Sequence, residues 1–383
     1  MNILFIAGNI PLPTRESNRI IIDIAERLIS AGHHICLLYP KEKCPAIIKN
    51  LPKFRYLKDL PDKWKDGKIT VNSLSYYRLP FSPIAFFLIT LIRKKLIKAV
   101  AKIELPDIIH AHYVMPDGYF AYMLYKFYKI PYIISSRGSD IKNIRKSRGY
   151  IGQYNKVLKN AAAVVVHNLY QKEYFDKNFG TNSIIISHGI DKNLLQEKSL
   201  PKEKHEITIT TVASLIELKR ISWVIRAVKN YTGDKEIKLK IIGSGPMKDE
   251  LIHLAGNSSN IVFYGKLPHT EVCTHLHESD IFALPSRTET LGLVYLEAAG
   301  KMNAVIATKN TGVWGNFADR KEMLFACDFE SFSSLLYEVI NNDTLRNELA
   351  INAFNKVREN YTWDKVIENY DEIYHKALKH TYL

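Results

Sequence analysis

Short apolar runs alternate with helical patterns along this chain, and the alternation stops once and then starts again. Ile3–Ala7 reads as a strand, Asn18–Ala31 as a helix, and His34–Tyr39 as a second strand after a stop at Gly32. Asp107–Ala111, Tyr132–Ser136, Ala162–Val166 and Ser183–Ser187 continue the series. Leu195–Glu206 (LQEKSLPKEKHE) is polar and contains a proline, the composition of a linker. Beyond it Ile207–Val212, Leu239–Ile242, Ile261–Tyr264, Ile281–Leu284 and Ala304–Ala307 repeat the pattern. Strands this short and this apolar, with helices between them, predict parallel sheets covered on both faces. The expected α/β architecture is two doubly wound, Rossmann-like domains of similar size. Their ligands would bind at the carboxyl ends of the strands, facing each other across a cleft. A length of 383 residues also exceeds one ordinary core.

Composition narrows the function. With 46% hydrophobic and 24% charged residues the chain is of the soluble globular kind. Cys36, Cys44, Cys273 and Cys327 form no spaced framework, which suggests reduced thiols and a cytoplasmic protein. The opening MNILFIAGNIPLP lacks a basic leader and reads as a strand rather than a signal peptide. No run reaches the length of a membrane-spanning helix. The formal net charge of +14 suits phosphorylated ligands or an anionic membrane surface. Nucleic acid is the poorer partner, because no recognition-helix, zinc-finger or RNA-binding signature is present.

One stretch carries chemistry. In Ile281–Ala299 a buried-strand run ends at Pro285-Ser286-Arg287. Glu289 follows, then Leu291-Gly292-Leu293, then a helical pattern containing Glu297. Seven residues separate the two carboxylates. Both can face a ligand across the helix N-terminus, where free N–H groups offer donors to an anion. Carboxylates accept from sugar hydroxyls and amides hold phosphate oxygens, so a phosphorylated sugar fits the array. The plainer reading is a solvated Glu289 and a Glu297 on a polar helix face.

These segments resemble the retaining glycosyltransferases of the GT-B fold, in particular family 4 (glycosyl transferases group 1) and its bacterial cell-surface polysaccharide subgroup. Glu289 to Glu297 matches the family's E-x7-E motif. Val212-Ala213-Ser214-Leu215 through Lys219 matches its strand-end segment with a phosphate-binding lysine, and Gly243-Ser244-Gly245-Pro246 its G-x-G-P turn. In the first half the matching segments are Pro106-Asp107, His110-Ala111-His112, Pro116-Asp117-Gly118 and Arg137-Gly138-Ser139-Asp140. His188-Gly189-Ile190-Asp191 precedes the linker, and Tyr361-Thr362-Trp363-Asp364 opens a C-terminal helix. The chain departs from the family in having Ser214 where arginine is frequent, Arg220 where glycine commonly follows the lysine, and Arg137 where many members have histidine. Its loop after the first strand, Gly8 to Ser17, is not glycine-rich in the usual way.

The resemblance implies a first domain over residues 1–195 that binds the acceptor and a second over 205–362 that binds the nucleotide sugar. A helix over 363–383 would return to the first domain. It implies metal-independent, retaining transfer of a sugar from a UDP- or GDP-linked donor, with no cofactor, to a hydroxyl of a saccharide or lipid-linked acceptor. Lys219 and Arg220 would neutralise the diphosphate. Glu289 would fix the donor sugar and Glu297 the ribose, while Ser214, Gly243, Gly245, Leu291, Gly292 and Leu293 would line the donor. Arg137 would meet a phosphate or the acceptor, and Asp140 an acceptor hydroxyl or Arg137 itself. Plainer readings remain for some of these: a surface lysine at 219, a tight turn at 243–246, a loop ion pair between Arg137 and Asp140. A nucleotide-sugar 2-epimerase and a non-catalytic sugar-nucleotide-binding protein share the architecture.

His110 and His112 share one face of a strand, and Cys273 and His277 lie four apart on a helix. Neither pair finds further ligands at zinc spacing. No Asp-x-Asp pair occurs, which argues against the metal-dependent nucleotide-sugar enzymes. Pro83–Lys102 combines an apolar stripe with Arg93, Lys94, Lys95, Lys98 and Lys102. It reads either as a helix lying on the inner face of an anionic membrane or as a core helix of the first domain. A second basic run, Lys142 to Arg148, could meet lipid-linked phosphates or simply be solvated.

Overall fold

The structure, a computed structural model, describes residues 1–43, 60–77 and 92–379. Two compact units emerge. The first comprises Met1–His167, Gln171–Ile186 and the C-terminal helix from Ile367. The second comprises Asn168–Tyr170 and Ser187–Val366.

Among the described residues the first unit is built on a sheet of eight strands. Its strands are β1 (Asn2–Ile6), β2 (His34–Lys43), β3 (Lys63–Asp66), β4 (Ile69–Tyr77), β5 (Ile108–Ala111), β6 (Tyr132–Ser135), β7 (Ala163–Val166) and β8 (Ile184–Ile185). They lie in the order β3-β4-β2-β1-β5-β6-β7-β8, parallel except for the β3–β4 pair. Leu4, Phe5 and Ile6 of β1 are fully buried. Each such side chain contributes roughly 1.5–3 kcal/mol by leaving water, which suits a strand covered on both faces. The chain order reverses between β1 and β5, and ligands of doubly wound sheets collect at that break.

The second unit carries β9 (Glu206–Val212), β10 (Glu236–Ile242), β11 (Ile261–Gly265), β12 (Ile281–Ala283), β13 (Ala304–Thr308) and β14 (Leu324–Ala326). All are parallel, in the order β11-β10-β9-β12-β13-β14, and the break falls between β9 and β12. One continuous core joins the two faces, with Ile209, Leu239, Phe282, Leu296, Ile306 and Leu336 fully buried. Two segments far apart in sequence meet here. Ile190 N–H donates to Tyr361 C=O at 2.8 Å, and Trp363 N–H returns to Ile190 C=O at 3.1 Å.

The strands expected from apolar runs are present, with shifts at their ends. Ser183–Ser187 shrinks to Ile184–Ile185 because Asp176 Oδ1 captures both the N–H and the hydroxyl of Ser183, at 2.8 and 2.7 Å. The β3–β4 hairpin was not expected. Its first strand, Lys-Trp-Lys-Asp, is an edge strand that alternates exposed and half-buried residues, so it has no apolar run. The Asp66-Gly67 pair was the legible signal, for Gly67 has φ +56° at the turn. β14 is only three residues long and was also missed.

Of the basic segment Pro83–Lys102, residues 83–91 lie outside the described residues. Arg93–Val100 is a helix that buries Leu96 and Val100 and exposes Arg93, Lys94, Lys95 and Lys98. The apolar side of this described part therefore belongs to the first unit's core. Lys142, Arg145 and Lys146 of the second basic run are exposed on the helix Ser139–Lys146. Among the described residues no helix is long and apolar enough to cross a membrane.

Candidate active site

The carboxyl ends of β9 and β12 carry the central pair of the second unit. After β9 a single 3-10 turn, Glu217–Lys219, leads through Arg220 into the helix Ile221–Lys229. After β12 the chain passes Pro285-Ser286-Arg287, and Arg287 N–H donates to Leu218 C=O at 2.7 Å. With the loops joined, Lys219 Nζ forms an ion pair with Glu289 Oε1. Ser286 Oγ donates to the same oxygen at 3.2 Å. The backbone of Glu289 is held too: its N–H donates to Thr311 Oγ1 at 2.7 Å, and Gly312 N–H donates to its carbonyl at 3.3 Å. Only 19% and 14% of the two side chains is exposed. The pair is thus shielded and fixed, unlike a surface salt bridge.

Gly292 caps the helix Leu293–Ala299 at φ +82°, and a Cβ there would lie 2.6 Å from the ring of Tyr295. Tyr295 cannot move aside, because it is buried and its hydroxyl donates to Leu284 C=O at 2.8 Å. Leu291 is buried beneath this turn, while Leu293 is half-buried at its start. Glu297 lies within the helix and accepts from His269 Nε2 at 3.1 Å. Cys273, singled out with His277, instead places its sulfur 3.8 Å from that same His269 nitrogen.

Gly243 and Gly245 serve a backbone approach. A Cβ on Gly243 would fall 1.8 Å from the carbonyl oxygen of Ala213, and one on Gly245 2.4 Å from that of Leu215. The contact is sealed by Leu215 N–H donating to Ser244 C=O and Met247 N–H to Leu215 C=O. Ser214 is exposed on the rim of this contact. Arg220 adopts a left-handed conformation (φ +51°), which accounts for glycine being common there. Its guanidinium stacks 4.3 Å over Trp223, in a cavity of about 190 Å³ that Arg287 also lines. Burial, then Arg287, lowers its pKa. The structure thus joins Lys219 to Glu289 and sets Arg220 against Trp223.

The first unit gathers a second polar cluster where β1, β5, β6 and β7 end. His110 and His112 stack with ring centroids 4.0 Å apart, as expected of one strand face. His110 Nδ1 meets Tyr374 Oη at 2.7 Å, and its Nε2 meets Ser135 Oγ at 2.7 Å. Arg137 is buried and spans two histidines, with Nη2 2.6 Å from His112 Nδ1 and Nη1 3.4 Å from His167 Nε2. The guanidinium can only donate, so both of those nitrogens are lone-pair acceptors. Asp140 does not pair with this guanidinium; its oxygens accept from Arg137 N–H at 2.7 Å and Val114 N–H at 3.0 Å. Asp117 accepts from Gly8 N–H at 2.9 Å, so the loop after β1 is tied down. Among the described residues, His112 Nε2, Arg137 Nε and Asp117 Oδ1 are buried without a hydrogen-bond partner.

Burial pushes the pKa of His110 and His112 well below the usual imidazole value, and the neighbouring cation of Arg137 adds to this. The same causes take His167 down to about 3. Burial raises Asp140 to about 7 against the pull of its two backbone donors, and raises Asp117 well above the carboxylate range. Among the described residues no group of three His, Cys, Asp or Glu side chains could hold a metal.

The description "Glycosyltransferase Family 4" matches residues 17–194, and "Glycosyl transferases group 1" matches residues 192–356. The chain belongs to glycosyltransferase family 4. An uncharacterised glycosyltransferase of Methanocaldococcus jannaschii is 27% identical over 73% of this chain and 78% of its own. A putative teichuronic acid biosynthesis glycosyltransferase, TuaC of Bacillus subtilis, is 26% identical over 57% of each chain. The solved structure of Anabaena HepE in complex with UDP superimposes with a TM-score of 0.70 over 97% of this chain and 99% of its own, at 15% identity. The fold of this glycosyltransferase is GT-B.

Several residues that build the candidate site of this glycosyltransferase carry little or no mark in the sequence. His167 had a signal: it ends the apolar run of β7 as His112 ends β5 and Arg137 follows β6. Thr311, Asn168 and His269 had none, since each acts through a partner far away in sequence. Asn168 Nδ2 donates to Thr290 C=O at 2.6 Å and to Gly312 C=O at 2.9 Å, holding the Glu289 loop.

Gly243→Ala should destabilise the protein by about 3 kcal/mol, from a backbone clash that has no side chain to relax it; the denaturant midpoint measures this. Acidification should also destabilise. Unfolded histidines take up protons below about pH 6.5, and the three buried ones refuse them, so stability is lost from there down toward pH 3. Asp140, between about pH 4 and 7, and Asp117, from about pH 4 upward, act with the opposite sign, because only their unfolded carboxyls release the proton there, and they make the loss shallower. Melting temperature against pH tests this, and a steady climb on acidification would contradict buried neutral histidines.

Proposed function

We propose that the enzyme transfers a sugar with retention of configuration from a nucleotide diphosphate sugar to a hydroxyl of a saccharide or lipid-linked saccharide. One observation carries this reading: Lys219 and Glu289 are paired at the break in the second sheet, beside the Gly292 turn and Glu297. On donor binding the diphosphate competes for Lys219, and the carboxylate released from that ion pair accepts from hydroxyls of the donor sugar. Glu297 accepts from the ribose hydroxyls. The amides around Gly292 hold phosphate oxygens at a turn whose left-handed backbone, φ +82°, glycine adopts without strain.

As the bond from the anomeric carbon to the leaving oxygen breaks, negative charge grows on the diphosphate. A preorganised cation is worth most at that moment. The acceptor oxygen forms its new bond on the same face, and its proton passes to the departing phosphate oxygen. Lys219 supplies the countercharge, so metal-independent transfer is the reading favoured here. In the first unit, Arg137 at the end of β6 is assigned to the acceptor side of the reaction.

The bound UDP of HepE favours a uridine donor, and the name of TuaC favours polysaccharide synthesis. The exposed cations Arg93, Lys94, Lys95 and Lys98 suit an anionic membrane surface, where each adds about 1 kcal/mol; sedimentation with anionic against neutral vesicles tests that placement.

Incubation with a panel of nucleotide sugars, with and without saccharide acceptors, tests the reaction. Wild type should release nucleotide and form a glycoside whose anomeric configuration, read by NMR, equals the donor's. Lys219→Ala and Glu289→Ala should each lower turnover by about 10²-fold. Isomerised donor without nucleotide release, or wild-type rates in both variants, would overturn the proposal.

A further inference from the structure

We propose that His269 is a positioning residue for nucleoside recognition, holding one oxygen of Glu297 so that the other meets the ribose diol. This rests on the reading of Glu297 as the ribose ligand.

His269 opens the helix His269–His277 directly after Pro268. Its Nε2 lies 3.1 Å from Glu297 Oε1, and because an ionised carboxylate only accepts, the proton sits on Nε2. The Cys273 sulfur, 3.8 Å from that nitrogen, packs on the ring edge one helical turn further on. Burial, then the charge of Glu297, raises the thiol's pKa, so the sulfur is neutral and a weaker acceptor for the Nε2 proton than the nearer carboxylate. His269 is the open partner, with 57% of its side chain exposed against 16% for Glu297.

A glutamate side chain has three rotatable bonds, and freezing it on a ligand costs conformational entropy. A charge-assisted hydrogen bond to one carboxylate oxygen meets that cost before the ligand arrives. It also directs the second oxygen. The E-x7-E motif places Glu297 but says nothing of its orientation, and His269 supplies what the motif lacks.

The test compares UDP with 2′,3′-dideoxy-UDP by calorimetry, using wild type, His269→Ala, His269→Gln and Glu297→Ala. Wild type should prefer UDP. His269→Ala should weaken UDP about fivefold to tenfold while scarcely changing dideoxy-UDP. His269→Gln, which keeps an N–H donor, should recover most of the affinity. If Glu297→Ala loses the preference for UDP and His269→Ala retains it, the positioning role is wrong and the ribose reading stands. Equal weakening of both nucleotides by His269→Ala would mean a merely structural residue and would also overturn the proposal. If Glu297→Ala keeps the full preference, the ribose reading itself fails, and this inference with it.

Discussion

The parallel pairing of β9 with β12, Ile281 beside Ile209 and Phe282 beside Thr210, is the constraint on which the second unit's site depends. The two strands are separated by more than sixty residues of chain and cross over in opposite directions from this point. Their carboxyl ends emerge side by side with no helix between them. The loop-to-loop hydrogen bond from Arg287 to Leu218 and the ion pair from Lys219 to Glu289 follow from that adjacency. A one-residue slip in this register would turn Phe282 to the opposite face and displace Glu289 by about 3.3 Å. Burial of Ile209, Ile281 and Phe282 opposes such a slip, so core packing also sets the site's geometry.

The first unit uses the same topology for a different electrostatic purpose. Here the strand ends deliver three histidines and an arginine into a buried space, a costly arrangement unless each charge is answered. The answer is tautomeric. Arg137 keeps the charge, and His112 and His167 remain neutral and turn lone pairs toward it. His110 is held from behind by Tyr374 and Ser135 and supports His112 by stacking. Asp140 spends its oxygens on backbone amides, fixing the turn from which Arg137 projects. The ion pair that Arg137 and Asp140 suggested in sequence is replaced by this division of labour.

How much of this was legible follows from what a linear pattern can carry. Uniformly apolar strands report burial on both faces, so β1, β5, β9 and β12 stood out, whereas an edge hairpin rich in lysine did not. Glu289, Glu297, Lys219 and Gly292 were legible because motif spacing and strand-end placement coincide. Arg220 was legible as a cation but not in its direction, since a left-handed backbone at that one residue aims it at Trp223. Thr311, Asn168 and His269 hold the site by bonds that span from 22 to 144 positions, and nothing local marks them. A linear pattern therefore marks residues at strand ends and motif positions and is silent on the distant partners that hold them.

The Lys219–Glu289 pair illustrates why the supporting residues matter. In the proposed reaction the Lys219 ammonium meets a diphosphate, and until then a partly buried ammonium left uncompensated would be costly. Glu289 removes that cost, and Ser286 on the same oxygen keeps the carboxylate from following the lysine. Thr311 and Gly312 pin its backbone, so an incoming phosphate can draw Lys219 away while the carboxylate stays in place. The exchange trades one charge-assisted bond for another of similar strength and releases a carboxylate oxygen just where sugar hydroxyls would arrive. A lysine and a glutamate with no such anchoring would separate into solvent together, and the site would have to be rebuilt on each turnover.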